Sequence, residues 1–180
     1  MKIEGTQKIE APRDRVFAAL VNPAVLEKCI PGCEQMEKTA ENQYKARLTA
    51  GVGPVKGSFN ATISIEQIVP PEHYKLVVEG KGQPGFVKGS GELNLKEAGS
   101  STPKGADSSI NDAGSATEIQ YTGEVNVGGL IASVGQRMIQ SSANLLAGRF
   151  FKALESEVKG KALEVKGDSA TAEPKLSTGT

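Results

Sequence analysis

Apolar and polar residues alternate along much of the chain, and this alternation predicts β-strands. In the clearest stretch, residues 59–65, every second residue is apolar and the residues between them are polar. A period of two places alternate side chains on opposite faces of a sheet. Short turns rich in glycine and proline separate such stretches, so we expect an antiparallel meander with one apolar face. The predicted strands are residues 2–10, 44–52, 59–66, 74–80, 89–96 and 117–127.

A second pattern, with apolar residues three and four positions apart, predicts one long helix over residues 130–158. Gly160 follows this run, where a glycine commonly ends a helix. A long helix with one apolar side needs an apolar surface to cover, and the sheet provides it. We expect the side facing the sheet to carry Val134, Met138, Leu145 and Leu154.

Two short helices are predicted after the first strand, at residues 13–21 and 24–29. Asn22 and Pro23 mark the start of the second, because asparagine caps helices and proline fits the first turn. The order of elements then predicts an α+β domain. We expect a curved antiparallel sheet of about six to seven strands wrapped around the long C-terminal helix, which is the helix-grip arrangement.

The predicted domain covers residues 1–159, and two polar segments of low complexity are set apart from its core. Residues 98–116 contain Ile110 as their only large apolar residue, so we expect a disordered hairpin insertion. Residues 160–180 are also polar, and we expect a flexible tail.

Composition narrows the class of protein. Lys and Arg number 21 and Asp and Glu number 21, so no excess positive charge favours binding to nucleic acid. No signal peptide is evident at the start, and no run of about 18 apolar residues predicts a membrane span. A cytoplasmic protein is therefore the expectation.

Residues that could carry catalysis are scarce. His73 is the only histidine, and it stands at a predicted strand start, where a solvated turn residue is expected. Cys29 and Cys33 have the spacing of neither a redox pair nor a complete zinc site, so we expect ordinary, partly buried cysteines. The glycine-rich residues 51–57 lie between two strands and predict a hairpin rather than a phosphate-binding loop. We therefore predict no catalytic residue and no metal site.

The apolar face of the predicted sheet is unusually rich in small residues. One interpretation is that its glycines are bulges that let the sheet bend. The other is that the small residues leave a cavity for an apolar ligand. If a cavity forms, its candidate ligand-binding residues are Phe17, Leu48, Phe59, Ala61, Ile63, Leu76, Gly91, Met138, Ser142 and Leu145.

Several segments together resemble a known family. The sequence GTQKIEAPRDRVF at residues 5–17 is similar to the entry of START-like ligand-binding domains. Four further segments make the resemblance specific to one family among these domains. They are NPAVLEKCIPGC (22–33), VGPVKGSF (52–59), GFVKGSG (85–91) and VGGLIASVGQRM (127–138). Over residues 1–155 the chain resembles the G-subunit proteins of carbon monoxide dehydrogenase, a START-like (SRPBCC) branch.

The resemblance implies a non-catalytic accessory protein with a START-like helix-grip fold. It implies a molybdenum hydroxylase of the carbon monoxide dehydrogenase type as partner, and peripheral contact with the inner face of the cell membrane. The implied ligand is a quinone, either menaquinone or ubiquinone, or another apolar molecule such as a lipid. Two alternatives stay open, namely a recruitment factor without a ligand and a small-molecule enzyme of the polyketide cyclase type.

Overall fold

The computed structural model describes residues 1–98 and 115–167, without the side chains of residues 160–167. One antiparallel sheet, one long helix and several short helices make up this part of the chain, so the predicted α+β helix-grip fold is confirmed. The helices are α1 (Arg13–Leu20), α2 (Pro23–Cys29), a 3-10 helix (Leu130–Val134) and α3 (Gln136–Gly167). The strands are β1 (Lys2–Ile9), β2 (Cys33–Ala40), β3 (Gln43–Val52), β4 (Val55–Val69), β5 (His73–Gly82), β6 (Gly85–Ala98) and β7 (Ala116–Gly129).

The described strands form one seven-stranded sheet in the order β1-β7-β6-β5-β4-β3-β2. From β2 to β7 each strand pairs with the next in the chain, which is the predicted meander, and β1 pairs with β7. The edge strand β2 was not predicted individually, because Met36 is its only buried residue and no clear alternation marks it. Cross-strand register places Ile63 beside Tyr44 on one side and Val78 on the other.

Helices α1 and α2 lie where the sequence predicts them. The Asn22 side chain accepts a hydrogen bond from the backbone N–H of Ala24 at 3.0 Å, and Pro23 opens α2, so the predicted cap is confirmed. The buried side chains of α1 and α2 include Val16, Leu20 and Val25. Both helices contact α3, so they join the sheet and α3 at one end of the domain.

The C-terminal helix departs from its predicted bounds at both ends. Residues Leu130–Val134 form a separate 3-10 helix, and α3 begins at Gln136. Gly129 and Gly135 have φ values of 80° and 91°, which interrupt a regular helix and favour glycine. At its other end α3 continues past Gly160 to Gly167. Glycine inside a helix costs only about 1 kcal/mol, and Lys161, Ala162 and Leu163 are strong helix formers.

The predicted buried side of the long helix was also wrong in part. Leu154 is fully buried, but Met138 and Leu145 are 42% and 56% exposed. At about 100° per residue, the nine residues from Leu145 to Leu154 turn the helix by about 900°, which places these leucines on opposite faces. The face that meets the sheet instead carries Ala143, Ala147, Phe150, Phe151, Leu154 and Val158.

The tightest packing lies where α1, α2 and the C-terminal half of α3 meet the sheet. Ile9, Leu20, Leu95, Ile119, Leu154 and Val158 are each at most 2% exposed there. Thr117 is the only fully buried polar residue among those described, and its hydroxyl donates to the Ala11 carbonyl at 2.7 Å. Its polar group is therefore satisfied inside the core.

Most of the predicted insertion and tail falls outside the described residues. Residues 99–114 and 168–180 are not described. The predicted insertion began at Ala98 and ended at Ala116, but these residues close the β6 and β7 pairing as register partners. The predicted disorder therefore concerns residues for which the structure gives no description.

Candidate ligand-binding cavity

A cavity of about 460 Å³ lies between the middle of the sheet and the N-terminal half of α3. Strands β3 to β7 contribute to its floor, and α3 contributes Ala143, Leu146 and Ala147 to its roof. Ligand sites for small molecules typically occupy about 300–1,000 Å³ and are mostly apolar. The cavity is of that size, and its lining is almost wholly apolar.

Small side chains on the apolar face explain the open space. In the register of the sheet, Gly91 pairs with both Gly123 and Leu76, and Gly89 pairs with Val78. Ala61 pairs with Gly80 one row away. These positions add little or no side-chain volume beneath α3, so helix and sheet are separated there by empty space.

The glycines on β6 and β7 are not bulges. Pairing between these strands runs from Gly85↔Gly129 to Ala98↔Ala116 without a shift in register. A Cβ atom at Gly91 would lie 3.1 Å from the Thr122 carbonyl oxygen, and one at Gly123 would lie 2.8 Å from the Ser90 carbonyl oxygen. Close approach of the two backbones therefore requires glycine at Gly123 and favours it at Gly91. Because neither residue has a side chain, neither fills the space beneath α3.

The candidate residues are only partly brought together. Those that line the cavity are Leu48, Ala61, Ile63, Leu76 and Gly91. Phe17 is buried beside the cavity, with its ring edge-to-face against Tyr74 at 5.9 Å. Phe59 is buried against Gly82, where an added Cβ would lie 3.0 Å from the phenyl ring.

The candidates on α3 lie away from the cavity lining. The Met138 side chain rests against Gly53, at the tip of the β3–β4 hairpin, and Leu145 faces outward. Ser142 is half-buried and is not part of the lining. The physical reason is the helix phase, because the side that covers the cavity is the one that carries Leu154.

Several lining residues were missed by sequence reasoning. They come from α3, from α1, α2 and the residue after α2, and from the aromatic positions of β5 and β7. They include Leu20, Leu26, Ile30, Tyr74, Tyr121, Ala147, Phe150 and Phe151. A helix phase counted backwards from Leu154 would have found Ala147 and Ala143, at seven and eleven residues. The tyrosines are on inward positions of predicted strands, but no local signal separates them from ordinary core residues.

The tyrosine hydroxyls are the main polar groups that the inward-facing side chains bring to the region. Tyr44, outside the cavity lining, donates to the Val21 carbonyl at 3.3 Å. Tyr121 stacks on Phe151, with ring centroids 5.3 Å apart, and its hydroxyl lies against Gly5. Tyr74 is 3% exposed, and burial raises the pKa of its phenol. Ser90, Glu92 and Thr122 also border the cavity, but they are exposed residues that alternate with the inward-facing glycines.

The other groups that could support chemistry lie apart from the cavity. His73 is half-buried, with Nδ1 2.9 Å from the Asn94 side-chain oxygen. Cys29 is buried and Cys33 is half-buried, as expected, and no disulfide joins them. In residues 1–98 and 115–159, no group of three or more His, Cys, Asp or Glu side chains is arranged to hold a metal ion.

A match between this sequence and the model of a protein family identifies the family of the chain. The model described as CoxG, the G subunit of carbon monoxide dehydrogenase, matches residues 5–159, which include most of β1, all of β2 to β7 and the core-packing part of α3. This chain belongs to the CoxG family. The resemblance inferred from the sequence is therefore confirmed.

Several solved structures are similar to this chain over most of its length. A conserved protein from Geobacillus kaustophilus is 38% identical, with 89% of this chain and 96% of that chain covered and a TM-score of 0.76. The ZhuI aromatase/cyclase from Streptomyces sp. R1128 is 12% identical, with 90% and 95% covered and a TM-score of 0.60. A START superfamily protein from Mycobacterium smegmatis is 14% identical, with 88% and 97% covered and a TM-score of 0.59. The last two likenesses show the START-like fold alone.

Comparison with curated proteins gave no match. As for a membrane segment, none of the helices in the described part of this CoxG-family chain is both long and apolar enough to cross a bilayer.

Proposed function

We propose that this CoxG-family protein is a non-catalytic accessory protein that binds an apolar ligand in the cavity between its sheet and α3. The proposed ligand is quinone-like, menaquinone or ubiquinone, or else a lipid. The proposed partner is a molybdenum hydroxylase of the carbon monoxide dehydrogenase type, which the protein would serve at the membrane surface.

The observation that carries the proposal is the apolar cavity of about 460 Å³. Protein cores are packed as densely as organic crystals, and voids larger than a water molecule are few. The apolar surface that lines this space is not covered by other protein atoms, and an apolar ligand that covers it would stabilise the folded protein.

The lining favours a ligand with an extended apolar body. Side chains from α2, β3, β5 and α3 supply aliphatic and aromatic surface, for example Leu26, Leu48, Leu76 and Phe150. Among the described residues, no Lys or Arg borders the cavity, and the one carboxylate residue that does, Glu92, is exposed on the outer side of β6. The ring and isoprenoid tail of a quinone meet these requirements, whereas a highly charged ligand does not.

The proposed partner is supported by the family, whose description names a subunit of carbon monoxide dehydrogenase.

The alternative of a recruitment factor without a ligand does not explain why the cavity is present. The alternative of a cyclase-type enzyme draws on the ZhuI aromatase/cyclase, whose 12% identity extends only to the fold. His73 is not among the lining residues, so a histidine base is not available there.

Extraction of the purified protein into organic solvent, followed by mass spectrometry, tests the proposal. We expect close to one isoprenoid quinone or lipid per chain from a host that makes these molecules. Added menaquinone should also raise the melting temperature of stripped protein, because a ligand at 100 times its dissociation constant stabilises the folded state by about 2.7 kcal/mol. If neither extraction nor added quinone or lipid shows binding, the recruitment interpretation replaces this one.

The partner is tested separately by affinity capture with purified carbon monoxide dehydrogenase, using quinone-loaded and stripped protein. We expect both forms to be captured, with quinone retained by the loaded form. Failure of capture would remove the proposed partner while leaving ligand binding intact.

A further inference from the structure

The three tyrosines of the chain differ in where their hydroxyls lie. Tyr44 and Tyr74 are equally buried, each 3% exposed. The Tyr44 hydroxyl donates to the Val21 carbonyl at 3.3 Å, outside the cavity lining. Tyr74 lines the cavity, and within the described part of the chain its hydroxyl has no hydrogen-bond partner.

A buried polar group without a partner calls for a physical explanation, because the large majority of such groups are hydrogen-bonded. The Tyr74 oxygen is not among the fully enclosed, unpartnered side-chain atoms of the described residues, of which Arg13 Nε is the one example. It therefore retains some accessible surface. Tyr74 is 3% exposed in total and is one of the residues that line the cavity, so we infer that this remaining surface faces the cavity.

We propose that the Tyr74 hydroxyl donates a hydrogen bond to a carbonyl oxygen of the bound ligand, and so selects apolar ligands that carry such an acceptor. This inference rests on the proposed function and specifies the polar end of the ligand. Quinones and other apolar ketones share this chemistry, whereas hydrocarbons of the same shape lack it.

The surroundings suit Tyr74 to this role. Its ring is held edge-to-face by Phe17 at 5.9 Å, so its direction is fixed by packing. Burial raises the pKa of the phenol, which keeps the proton on oxygen and makes the group a donor near neutral pH. Tyr121 is placed differently, because it is only half-buried and its hydroxyl lies against Gly5 of β1.

The test compares two probes on stripped protein by equilibrium dialysis. One is a naphthoquinone with a short prenyl tail, and the other is the naphthalene hydrocarbon with the same tail. We expect wild type to prefer the quinone and Tyr74→Phe to bind it about tenfold more weakly, which is a typical effect of one lost hydrogen bond in a buried site. Binding of the hydrocarbon should be unchanged or slightly stronger.

Tyr44→Phe is the matched control, because Tyr44 is as buried as Tyr74 and lies outside the cavity lining. It should leave the affinities for both probes, and their ratio, as in wild type. If Tyr44→Phe lowers the preference for quinone as much as Tyr74→Phe, the assignment to Tyr74 is overturned.

The outcomes separate this inference from the proposed function. If wild type binds neither these probes nor menaquinone or lipid, the proposed function fails. If wild type binds the quinone but Tyr74→Phe keeps the full preference, only the assignment to Tyr74 fails. Should Tyr74→Phe not fold, the infrared carbonyl stretch of ¹³C-labelled quinone bound to wild type decides. A frequency below that in hydrocarbon solvent supports a hydrogen bond, and an unshifted frequency overturns it.

Discussion

The layer between α3 and the sheet has two halves that are built from the same elements and packed differently. In the filled half, Leu154 and Val158 of α3 are 0% and 1% exposed and belong to the same core cluster as Ile9 and Ile119. In the hollow half, α3 presents Ala143, Leu146 and Ala147 above the glycines of β6 and β7, and the cavity lies between them. One part of α3 therefore stabilises the fold through large buried side chains, and another part leaves space for a ligand because it carries alanines.

The filled half acts as an anchor for the hollow half. Helices α1 and α2 contact α3 and bury Val16, Leu20 and Val25 beside its C-terminal half. With one end of α3 held in this way, its other end can span open space without collapse onto the strands. At the N-terminal end, Gly135 and the contact of Met138 with Gly53 fix where the helix starts.

The largest expected effect comes from removing a side chain in the filled half. Leu154→Ala should lower the free energy of unfolding by about 2–5 kcal/mol, because it leaves a cavity in dense packing. Leu145→Ala, at a residue 56% exposed on the opposite face, should change it by no more than about 0.5 kcal/mol. Urea denaturation midpoints at an unchanged slope measure both.

Equal losses from these two leucine variants would contradict the assigned helix phase. Leu145 would then have to be buried in solution, and the face proposed to cover the cavity would be wrong.

A phenyl ring introduced in the hollow half should act on binding rather than on stability. Ala61 lines the cavity, whereas its register partner Ala46 is buried in the core and outside the lining. Ala46→Phe should overpack the core and cost about 1–3 kcal/mol. Ala61→Phe should fold with a melting temperature near or above wild type and no longer take up menaquinone or a fluorescent apolar probe. Thermal unfolding and probe titration give both quantities.

The matched pair of alanines makes the result interpretable. If both phenylalanine variants are destabilised equally, the space beside Ala61 is not open, and the comparison between halves does not hold there. If Ala61→Phe is stable and still binds menaquinone at full strength, the ligand occupies another site.

Much of the fold could be predicted from the sequence, because local signals agree with it. Alternation identified the strands from residue 44 onward, and the Asn22 cap located α2. The phase of α3 could not be fixed in this way. Met138 and Leu145 are apolar yet exposed, and surface leucines are common enough that hydrophobicity alone does not tell a buried face from an exposed one. The break at Gly135 depends on a positive φ that the sequence permits without requiring.

The candidate site was predictable on the sheet and not on the helix. Ala61, Ile63, Leu76 and Gly91 follow from alternation, since every second residue of a strand faces the helix. Tyr74 differs from Tyr44 because the fold places a carbonyl acceptor, that of Val21, beside the Tyr44 hydroxyl. Such a contact joins residues that are distant in the sequence, so it could not be predicted from local sequence patterns.

The smallest expected effect concerns residues 99–114, which join the strands that end in the filled half. Ala98 and Ala116 are register partners, so a turn of about four residues can connect β6 and β7. Each halving of loop length lowers the closure cost by only about 0.6 kcal/mol, so this replacement should raise stability by about 1 kcal/mol at most. Menaquinone affinity should not change, because the cavity lies toward Gly91 and Gly123, away from this junction. A stability loss of several kcal/mol would instead show that these residues pack on the filled half, which would then depend on more than α1, α2 and α3.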